Sequence, residues 1–302
     1  MIEECRMVNA ECRIRRRLRF CILHSAFCIL LIARVAHSQD RYTPVPPLPL
    51  GDTLLSLPTS HIPSEGTWEV KFTHRFNQSL DQGNFSDRVH SLFGLDSNAD
   101  VAIGMSYVFR PDLQISVLRS NALDDIETAA KFVVFQQAAA FPASLAIRGG
   151  VDWRTEANLT DRTSLFAQAI ISRKFGRAEV FAVPTYVTNA GRAVAGNTSG
   201  ALFQHAVNVP VGIAVMVMPA LSIVGEFVAK NRDLPDTIHA DYGWAVGLKR
   251  AIGGHYFEIL ITNNNATHVD QYVTSTYMGS RLRRSDLHLG FNIERRFGKH
   301  AP

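Results

Sequence analysis

Charged side chains recur at alternate positions in several segments of the chain. Glu69, Lys71 and Arg75 do so in one segment, and Glu294 and Arg296 do so near the end. Alternate positions share one face of a β-strand. A face that carries both signs can form ion pairs with itself, or it can line a water-filled pore that selects solutes by charge and size. Neither sign dominates, so the sequence predicts no preference for anions or cations.

A wider group of charged residues follows the same pattern and opposes an apolar face of its segment. We predict that this group lines the interior of the protein. Its members are Glu69, Lys71, Arg75, Arg148, Asp152, Glu226, Glu258, Glu294 and Arg296. If the first and last strands are neighbours, their four charged residues Glu69, Lys71, Glu294 and Arg296 form an ion-pair network. Two interpretations stay open: charges that pair and close the lumen, or charges that line an open one.

Residue types for nucleophilic catalysis and metal binding lack the spacing that such sites need. Some membrane-barrel hydrolases set Ser and His two residues apart on the outer face, but no predicted strand here has a His-x-Ser pair. His90 and Ser91 are adjacent and point to opposite faces if extended. The Asp-x-Asn-x-Asp stretch at 96–100 lacks the downstream Gly and Glu of a helical calcium loop. We therefore predict no catalytic residue, no metal site and no cofactor.

Strands are the elements that would position these side chains. From Gly66 onward, β-branched and aromatic residues alternate with polar ones, and a helical period is almost absent. The predicted strands are 66–76, 100–109, 112–119, 126–136, 143–153, 163–175, 178–187, 202–217, 220–230, 240–250, 254–263 and 285–297. The uncharged stretch 209–225 is interpreted as a hairpin that turns at Met218-Pro219-Ala220. A bulge is expected at Pro210, because proline donates no ladder hydrogen bond.

The lengths of the predicted connections alternate between long and short. This pattern puts long loops at one end and tight turns at the other, and an even strand count puts both termini at the tight-turn end. Bacterial outer-membrane barrels have this organisation. A soluble barrel of twelve strands would need a lumen wider than side chains can fill. The predicted fold is therefore all-β, a closed antiparallel up-and-down transmembrane β-barrel of about 12 strands. A soluble secreted β protein is the less favoured alternative.

Aromatic residues close the predicted strands at both ends, as in the interfacial girdles of membrane barrels. The candidates at the tight-turn end are Trp68, Phe109, Phe175 and Phe297. The candidates at the long-loop end are Phe76, Trp153 and Tyr186.

The first 38 residues have the features of an export signal. Basic residues at 13–19 precede the apolar run Phe20–Ile32, and Ala36-His37-Ser38 offers a cleavage site after Ser38. A membrane anchor is the alternative, and a start further along the chain is another because the segment is long. The predicted organisation is a signal peptide at 1–38, a Pro-rich periplasmic segment at 39–65, the barrel at 66–297 and a short tail at 298–302.

Charge and cysteine content are concentrated in this first segment. Of the 31 basic and 27 acidic residues, seven Arg and three Glu lie in residues 1–39, which leaves 24 of each sign. The neutral remainder excludes a nucleic-acid-binding protein on charge grounds. All four cysteines lie in the first 28 residues. The exported chain would therefore carry neither a disulfide framework nor a cysteine metal site.

Several short stretches resemble a bacterial β-barrel family, domain of unknown function 5777. They are HRF at 74–76, SLFGLD at 91–96, GGH at 253–255 followed by Phe257, and LGFNI at 289–293. The resemblance runs from about Gly51 to Phe297. It implies an outer-membrane barrel, and it implies no reaction, ligand or catalytic residue. Outer-membrane barrels often end on an aromatic residue, whereas here Gly298 to Pro302 follow Phe297.

Two functions remain open on the sequence. One is a pore or transport-related barrel for small solutes. The other is a closed barrel with a structural or binding role, which uses the long external loops at 77–99 and 264–284 and has a lumen sealed by its charges or by the segment before the first strand. The expected partners are the lipid bilayer of the bacterial outer membrane and the barrel-assembly machinery.

Overall fold

An antiparallel sheet that closes on itself forms most of the chain. The computed structural model describes residues 44–81, 83–155, 163–190, 205–230, 241–274 and 287–298. Within these ranges the chain is nearly all β, and twelve strands form a closed barrel. The predicted fold class is thus confirmed. The predicted signal peptide lies outside the described residues.

The strands follow the predicted order. They are β1 Trp68–Phe76, β2 Ala99–Arg110, β3 Leu113–Ser120, β4 Asp125–Phe135, β5 Ser144–Arg154, β6 Thr163–Phe175, β7 Ala178–Ala182 and Thr185–Thr188, β8 His205–Asn208 and Val211–Met218, β9 Leu221–Val228, β10 Gly243–Ile252, β11 His255–Thr262 and β12 His288–Phe297. Where the predicted ends lie in the described residues, they differ from these by at most two residues. The predicted starts at 202, 240 and 285 lie outside them.

Each strand pairs with the next, and β12 pairs with β1 to close the barrel. The closing register sets Trp68 opposite Phe297 and Arg75 opposite Gly290. Closure leaves no strand edge with unpaired backbone groups, and lipid would not tolerate such an edge.

Prolines interrupt two neighbouring strands at the same level along the barrel axis. The ladder of β8 breaks at Val209-Pro210, where a bulge was expected, and β7 breaks at Val183-Pro184. The proline carbonyls still take part in the sheet. Val183 N donates to Pro210 O at 2.8 Å, and Ala169 N donates to Pro184 O at 3.0 Å. The missing N–H groups, not a loss of acceptors, therefore account for both breaks.

Long and short connections are sorted to opposite ends, with one exception around β4. Two residues connect β2 to β3, β6 to β7, β8 to β9 and β10 to β11. Only four connect β3 to β4, because a 3₁₀ turn at Ala122–Asp124 reverses the chain. Eight connect β4 to β5 at the tight-turn end. These eight are ordered by an Ala138–Phe141 bridge and by stacking of Phe141 on Phe135 at 5.2 Å.

The two faces of the sheet differ in the way expected for a barrel in lipid. The outward face is apolar and exposed: Ile259 is 64% exposed and Ile103 is 58% exposed. The inward face is polar and buried, with Arg75 at 0% and Lys249 at 1%. A soluble barrel would show the opposite arrangement, because apolar surface is driven out of water.

Two short helices lie in the connections at the long-loop end. Helix α1, Phe85–His90, follows β1 and begins with a capping box between Asn84 and Asp87. Helix α2, Val269–Thr274, follows β11, and all six of its residues are buried. No helix in the described ranges is long and apolar enough to cross a membrane.

Candidate functional site: the occupied lumen

The chain segment before β1 folds back into the barrel. Residues 48–60, here termed the plug, include five leucines that are at most 2% exposed: Leu48, Leu50, Leu54, Leu55 and Leu57. The sequence predicts a Pro-rich periplasmic segment over 39–65 and leaves open that the segment before the first strand seals the lumen; the plug lies inside the barrel, as in that alternative. Five leucines in ten residues are too apolar to remain in water, and the lumen is where they can be buried.

The plug is a hairpin inserted from the tight-turn end. Thr53 and Pro58 form an antiparallel bridge, and Leu54 N donates to Leu57 O at 2.8 Å. The flanking chain stays at the tight-turn end. Val45 N there donates to Gln137 O, in the connection after β4, at 2.8 Å. The plug therefore enters and leaves the barrel through the same opening, and its tip, residues 54–57, lies deepest.

One carboxylate on the wall binds the tip. The backbone N–H groups of Leu55, Ser56 and Leu57 donate to Glu226 Oε1 at 2.8, 2.9 and 2.9 Å. Successive N–H groups that converge in a tight turn form a natural anion cradle. Bonds to an ionised acceptor are also stronger than neutral ones. Glu226 thereby satisfies three buried donors that the hairpin cannot pair internally.

The carbonyl groups of the tip face the other side of the wall. Lys249 Nζ donates to Thr53 O at 2.6 Å and to Leu54 O at 3.1 Å. Asn292 Nδ2 donates to Leu55 O at 2.8 Å. Charged and polar wall side chains thus replace the sheet partners that buried main-chain groups require.

Ion pairs on β1, β10, β11 and β12 surround these contacts. Lys249 Nζ lies 2.5 Å from Glu258 and 3.8 Å from Glu294, and Lys71 Nζ lies 3.3 Å from Glu294. The plug joins this network through Thr53, whose hydroxyl donates to Glu294 at 3.0 Å and accepts from Lys71. The inward charges of these strands therefore bind the plug as well as one another.

A further pair lies next to the barrel opening. Glu69 and Arg296 are register partners on β1 and β12, and Arg296 Nε lies 2.6 Å from Glu69 Oε2. The guanidinium also stacks over Tyr256 at 4.8 Å. With Lys71 and Glu294, this pair makes up the four-residue network that the sequence pattern predicted where the first and last strands meet.

The opposite wall binds the base of the plug through Lys131. Its ammonium group pairs with Asp52 and donates to Thr59 O at 3.3 Å. Burial opposes ionisation of Asp52, but Lys131, with smaller contributions from Arg148 and Lys71, outweighs it and holds the pKa of Asp52 below its usual range. Asp52 is therefore ionised when the plug is in place.

Glu179 on β7 forms the third wall contact, which the sequence analysis missed. Its carboxylate bonds to His61 Nε2 at 2.8 Å and accepts from Leu48 N at 3.2 Å. Ser172 donates to Glu179 at 3.0 Å and contacts Ser60 at 2.7 Å. The signal was present in the sequence, because Glu179 alternates with the outward-facing Val180 in a predicted strand.

Two glycines on the wall make room for the leucines of the tip. A Cβ atom on Gly212 would lie 2.3 Å from Leu54 Cδ1, and one on Gly247 would lie 3.1 Å from Leu55 Cδ2. At Gly212 the plug itself opposes a side chain, whereas at Gly247 a Cβ atom would also lie 2.6 Å from Ile259 O of the neighbouring strand. The wall is therefore shaped to fit the two leucines.

The connection after β11 fills the other half of the lumen. Residues 263–274 are buried almost throughout, although the sequence had predicted an external loop at 264–284. Val269 N donates to Glu127 Oε2 at 3.1 Å, and Gln168 Nε2 donates to Tyr272 OH at 2.8 Å. Tyr272 also belongs to the apolar cluster that contains the leucines of the plug. Residues 275–286 lie outside the described part of the chain.

The remaining predicted lumen residues also face inward: Asp152 and Arg75 are buried, and Arg148 is partly buried. Arg148 pairs with Glu127 and donates to Gln168 at 2.9 Å. Asp152 accepts from the backbone N–H of Asp270 at 3.4 Å. Arg75 donates to Asn292 Oδ1 at 2.7 Å. Arg148 and Asp152 thus contact the wall and inward connection at the long-loop end, whereas Arg75 contacts the Asn292 amide that binds the plug.

A narrow space remains beside the plug. A cavity of about 80 Å³ lies along β1 to β4 and is lined by Asp52, Lys71, Thr73, Arg148 and Tyr272 among others. It has room for several water molecules. The plug and the inward connection both border it.

The predicted girdle residues face outward. Trp68, Phe109, Trp153, Phe175, Tyr186 and Phe297 are between 41% and 52% exposed, and Phe76 is partly covered. His74 covers Phe76, with ring centroids 4.4 Å apart. Arg173 lies over Phe175 at 4.7 Å, and Arg295 lies over Phe297 at 4.9 Å. Such a pairing of apolar ring and cation matches a membrane–water interface.

His74 faces outward on β1 without a hydroxyl partner. Its cross-strand neighbours are Phe291 and Val101, and its ring stacks on Phe291 at 5.0 Å. Neither neighbour carries a nucleophile. Elsewhere in the described ranges, no group of three His, Cys, Asp or Glu side chains is placed to hold a metal ion.

Comparisons with known proteins give one clear match. A family model described as a membrane-bound β-barrel domain, domain of unknown function 5777, matches residues 51–297. This range covers the plug tip and all twelve strands. No curated protein matches the sequence significantly.

Several solved structures have a similar barrel at low similarity. An outer membrane channel from Pseudomonas putida F1 is 11% identical with a TM-score of 0.45, and covers 78% of this chain and 97% of its own. The NanC porin is 8% identical with a TM-score of 0.47, over 77% and 99%. Outer membrane phospholipase A from Escherichia coli is 10% identical with a TM-score of 0.41, over 77% and 93%. At these values none of the three indicates an activity for this chain.

Proposed function

The chain belongs to the family of membrane-bound β-barrel domains designated domain of unknown function 5777, and we propose that it is a bacterial outer-membrane pore for small solutes, closed by its own plug. The observation that supports this most is the occupancy of the lumen. Wall charges that could line a solute pathway bind the plug backbone, and the plug is a separate hairpin, not part of the barrel wall. Its departure would leave charges of both signs facing water.

Planar-bilayer recordings test this proposal. We expect the native protein to be silent or to conduct rarely. The double variant Leu54→Asp and Leu55→Asp should give conductance steps, because two carboxylates cannot be buried against Gly212 and Gly247 without partners. The steps should show little preference for anions or cations, since the lumen charges are mixed.

Val45→Asp is the matched control for this experiment. Val45 lies at the start of the same segment but is exposed at the barrel opening, so the added charge should leave the native silence unchanged. If the double variant is folded and remains silent, the pore proposal is wrong.

A closed barrel with a structural or binding role is the second candidate. The inward connection with α2 favours it, because residues 263–274 occupy the lumen in addition to the plug. In that case removing the plug tip would leave the barrel sealed. The same bilayer recording therefore separates the two functions.

Export and catalysis complete the proposal. We propose that cleavage after Ser38 releases the mature chain to the periplasm, and that the barrel-assembly machinery inserts it into the outer membrane. We further propose that the barrel is not an enzyme, since the ring of His74, on its lipid face, lies among the rings of Phe72, Phe76 and Phe291. Release of fatty acid from phospholipid vesicles by the purified protein would contradict this.

A further inference from the structure

The wall recognises the tip of the plug through groups that every polypeptide has. Glu226 accepts from three consecutive backbone N–H groups. Lys249 and Asn292 donate to three backbone carbonyls, those of Thr53, Leu54 and Leu55. These six bonds do not depend on which side chains the tip carries. They define a receptor for a tight peptide turn.

Side-chain selectivity comes from the two glycines. Gly212 leaves space for Leu54, and Leu55 packs next to Gly247, where the neighbouring strand also requires a glycine. The ligand class is therefore a peptide turn with two consecutive leucines.

Two of the three receptor groups, Lys249 and Asn292, are held by the wall itself. Lys249 pairs with Glu258 at 2.5 Å, and Asn292 accepts from Arg75 at 2.7 Å and donates to Glu258. These partners lie on β1 and β11 and not on the plug. Preorganised groups bind a ligand with less loss of conformational freedom. The site should therefore persist when the plug is absent.

We propose that the lumen at the tight-turn end is a peptide-binding site for which the plug is the intramolecular ligand. A segment of a periplasmic partner with two leucines at a tight turn can enter through the same opening and take its place. This inference rests on the proposed function for its biological role, since exchange would be one way to open the pore. The binding site itself requires no conduction.

A full-length host without a competent plug tests the site. The mature chain with Leu54→Asp and Leu55→Asp keeps every wall residue, and heat-modifiable gel migration checks that it is folded. A fluorescein-labelled synthetic peptide with the native sequence of residues 44–61 is the probe, and fluorescence anisotropy in detergent is the readout. We expect saturable binding. The same peptide with both leucines changed to Asp should bind at least about tenfold more weakly, because it would bury two unpaired carboxylates.

Two glycine substitutions in the host wall form a matched pair. Gly212→Ala places a methyl group 2.3 Å from Leu54 Cδ1, and should weaken peptide binding about fivefold or more, because the leucine must move from its place in the wall. Gly225→Ala is the control. It lies on the neighbouring strand, faces outward, and its Cβ would meet only Ile213 at an ordinary 3.5 Å. It should bind the peptide as the host does.

A second host variant keeps the test informative if the first host does not fold. Gly51→Val displaces the base of the plug, because Gly51 has a φ of +75° and its Cβ would lie 2.6 Å from Glu294 Oε2. Absence of saturable binding to both folded hosts, or equal binding by Gly212→Ala and Gly225→Ala, would overturn the inference. Peptide binding by a host that never conducts would instead reject the pore and keep the site.

Discussion

In this lumen, single side chains form the hydrogen bonds to buried main-chain groups that a neighbouring strand would form in a sheet. Glu226, Lys249 and Asn292 together satisfy six main-chain groups of the plug. An unpaired buried donor or acceptor costs about 1–3 kcal/mol. Loss of one of these side chains should therefore affect plug binding more than loss of a typical surface charge.

Asp52 provides a residue-scale prediction on pH. Its pKa is lowered in the folded protein by Lys131, so the stability it contributes is full above its unfolded pKa of about 4 and is lost as pH falls through the lower folded value. Asp52→Asn should thus lower the temperature of heat-modifiable migration equally at about pH 7 and pH 5. The difference from the native protein should shrink only near about pH 3. A difference that vanishes between pH 7 and pH 5 would show that the pKa is raised instead.

At the scale of elements, the whole plug should be protected from reagents dissolved in water. The cysteines all precede residue 29, so a single thiol introduced into a chain that starts after Ser38 can be followed without background. Ser60→Cys, at a site 3% exposed, should react slowly with a water-soluble maleimide, whereas Val45→Cys should react fast. In the Leu54→Asp and Leu55→Asp background both should react fast. Equal rates in the native background would mean that the plug is not seated in solution.

The strands were predictable from the sequence because lipid imposes a strict period of two. Once Val207, Val209 and Val211 face outward, their neighbours must face inward, and the strand bounds follow. The break at Val183-Pro184 was missed because the flanking residues keep the alternation. The length of the connection between β3 and β4 was overestimated. It has only four residues because Leu123 and Asp124 turn the chain at positive φ, which is uncommon for such residues.

The position of the plug could not be predicted from alternation. Its prolines indicate an extended linker, and its leucines follow no strand or helix period, because single side chains on the wall bind it, not a neighbouring strand. Leucine density was the only available signal. The charged lumen residues were identified from alternation, but alternation says nothing about what fills the space between them. That required the long-range contacts, such as Leu55 with Glu226, 171 residues apart.

For the whole molecule, the expected behaviour is that of an outer-membrane barrel. The apolar outer face and mixed aromatic rims predict co-fractionation with outer membranes after export. Folded protein should also migrate faster than boiled protein in gels that contain detergent. Mass spectrometry of the mature protein should show a chain that begins at Gln39. Recovery in the soluble periplasmic fraction would contradict the membrane fold.

The distribution of plug contacts along the chain has a consequence for biogenesis. The plug precedes β1, yet Glu226, Lys249, Glu258 and Asn292 lie on β9 to β12. A chain exported from its amino terminus presents the leucine-rich plug long before its binding partners emerge, and contacts this distant in sequence form late. We therefore expect the plug to bind only after these strands have formed. If the proposed pore function holds, sealing is the final step of maturation, and a chaperone bound to the leucines would prolong the time for which the newly inserted protein conducts.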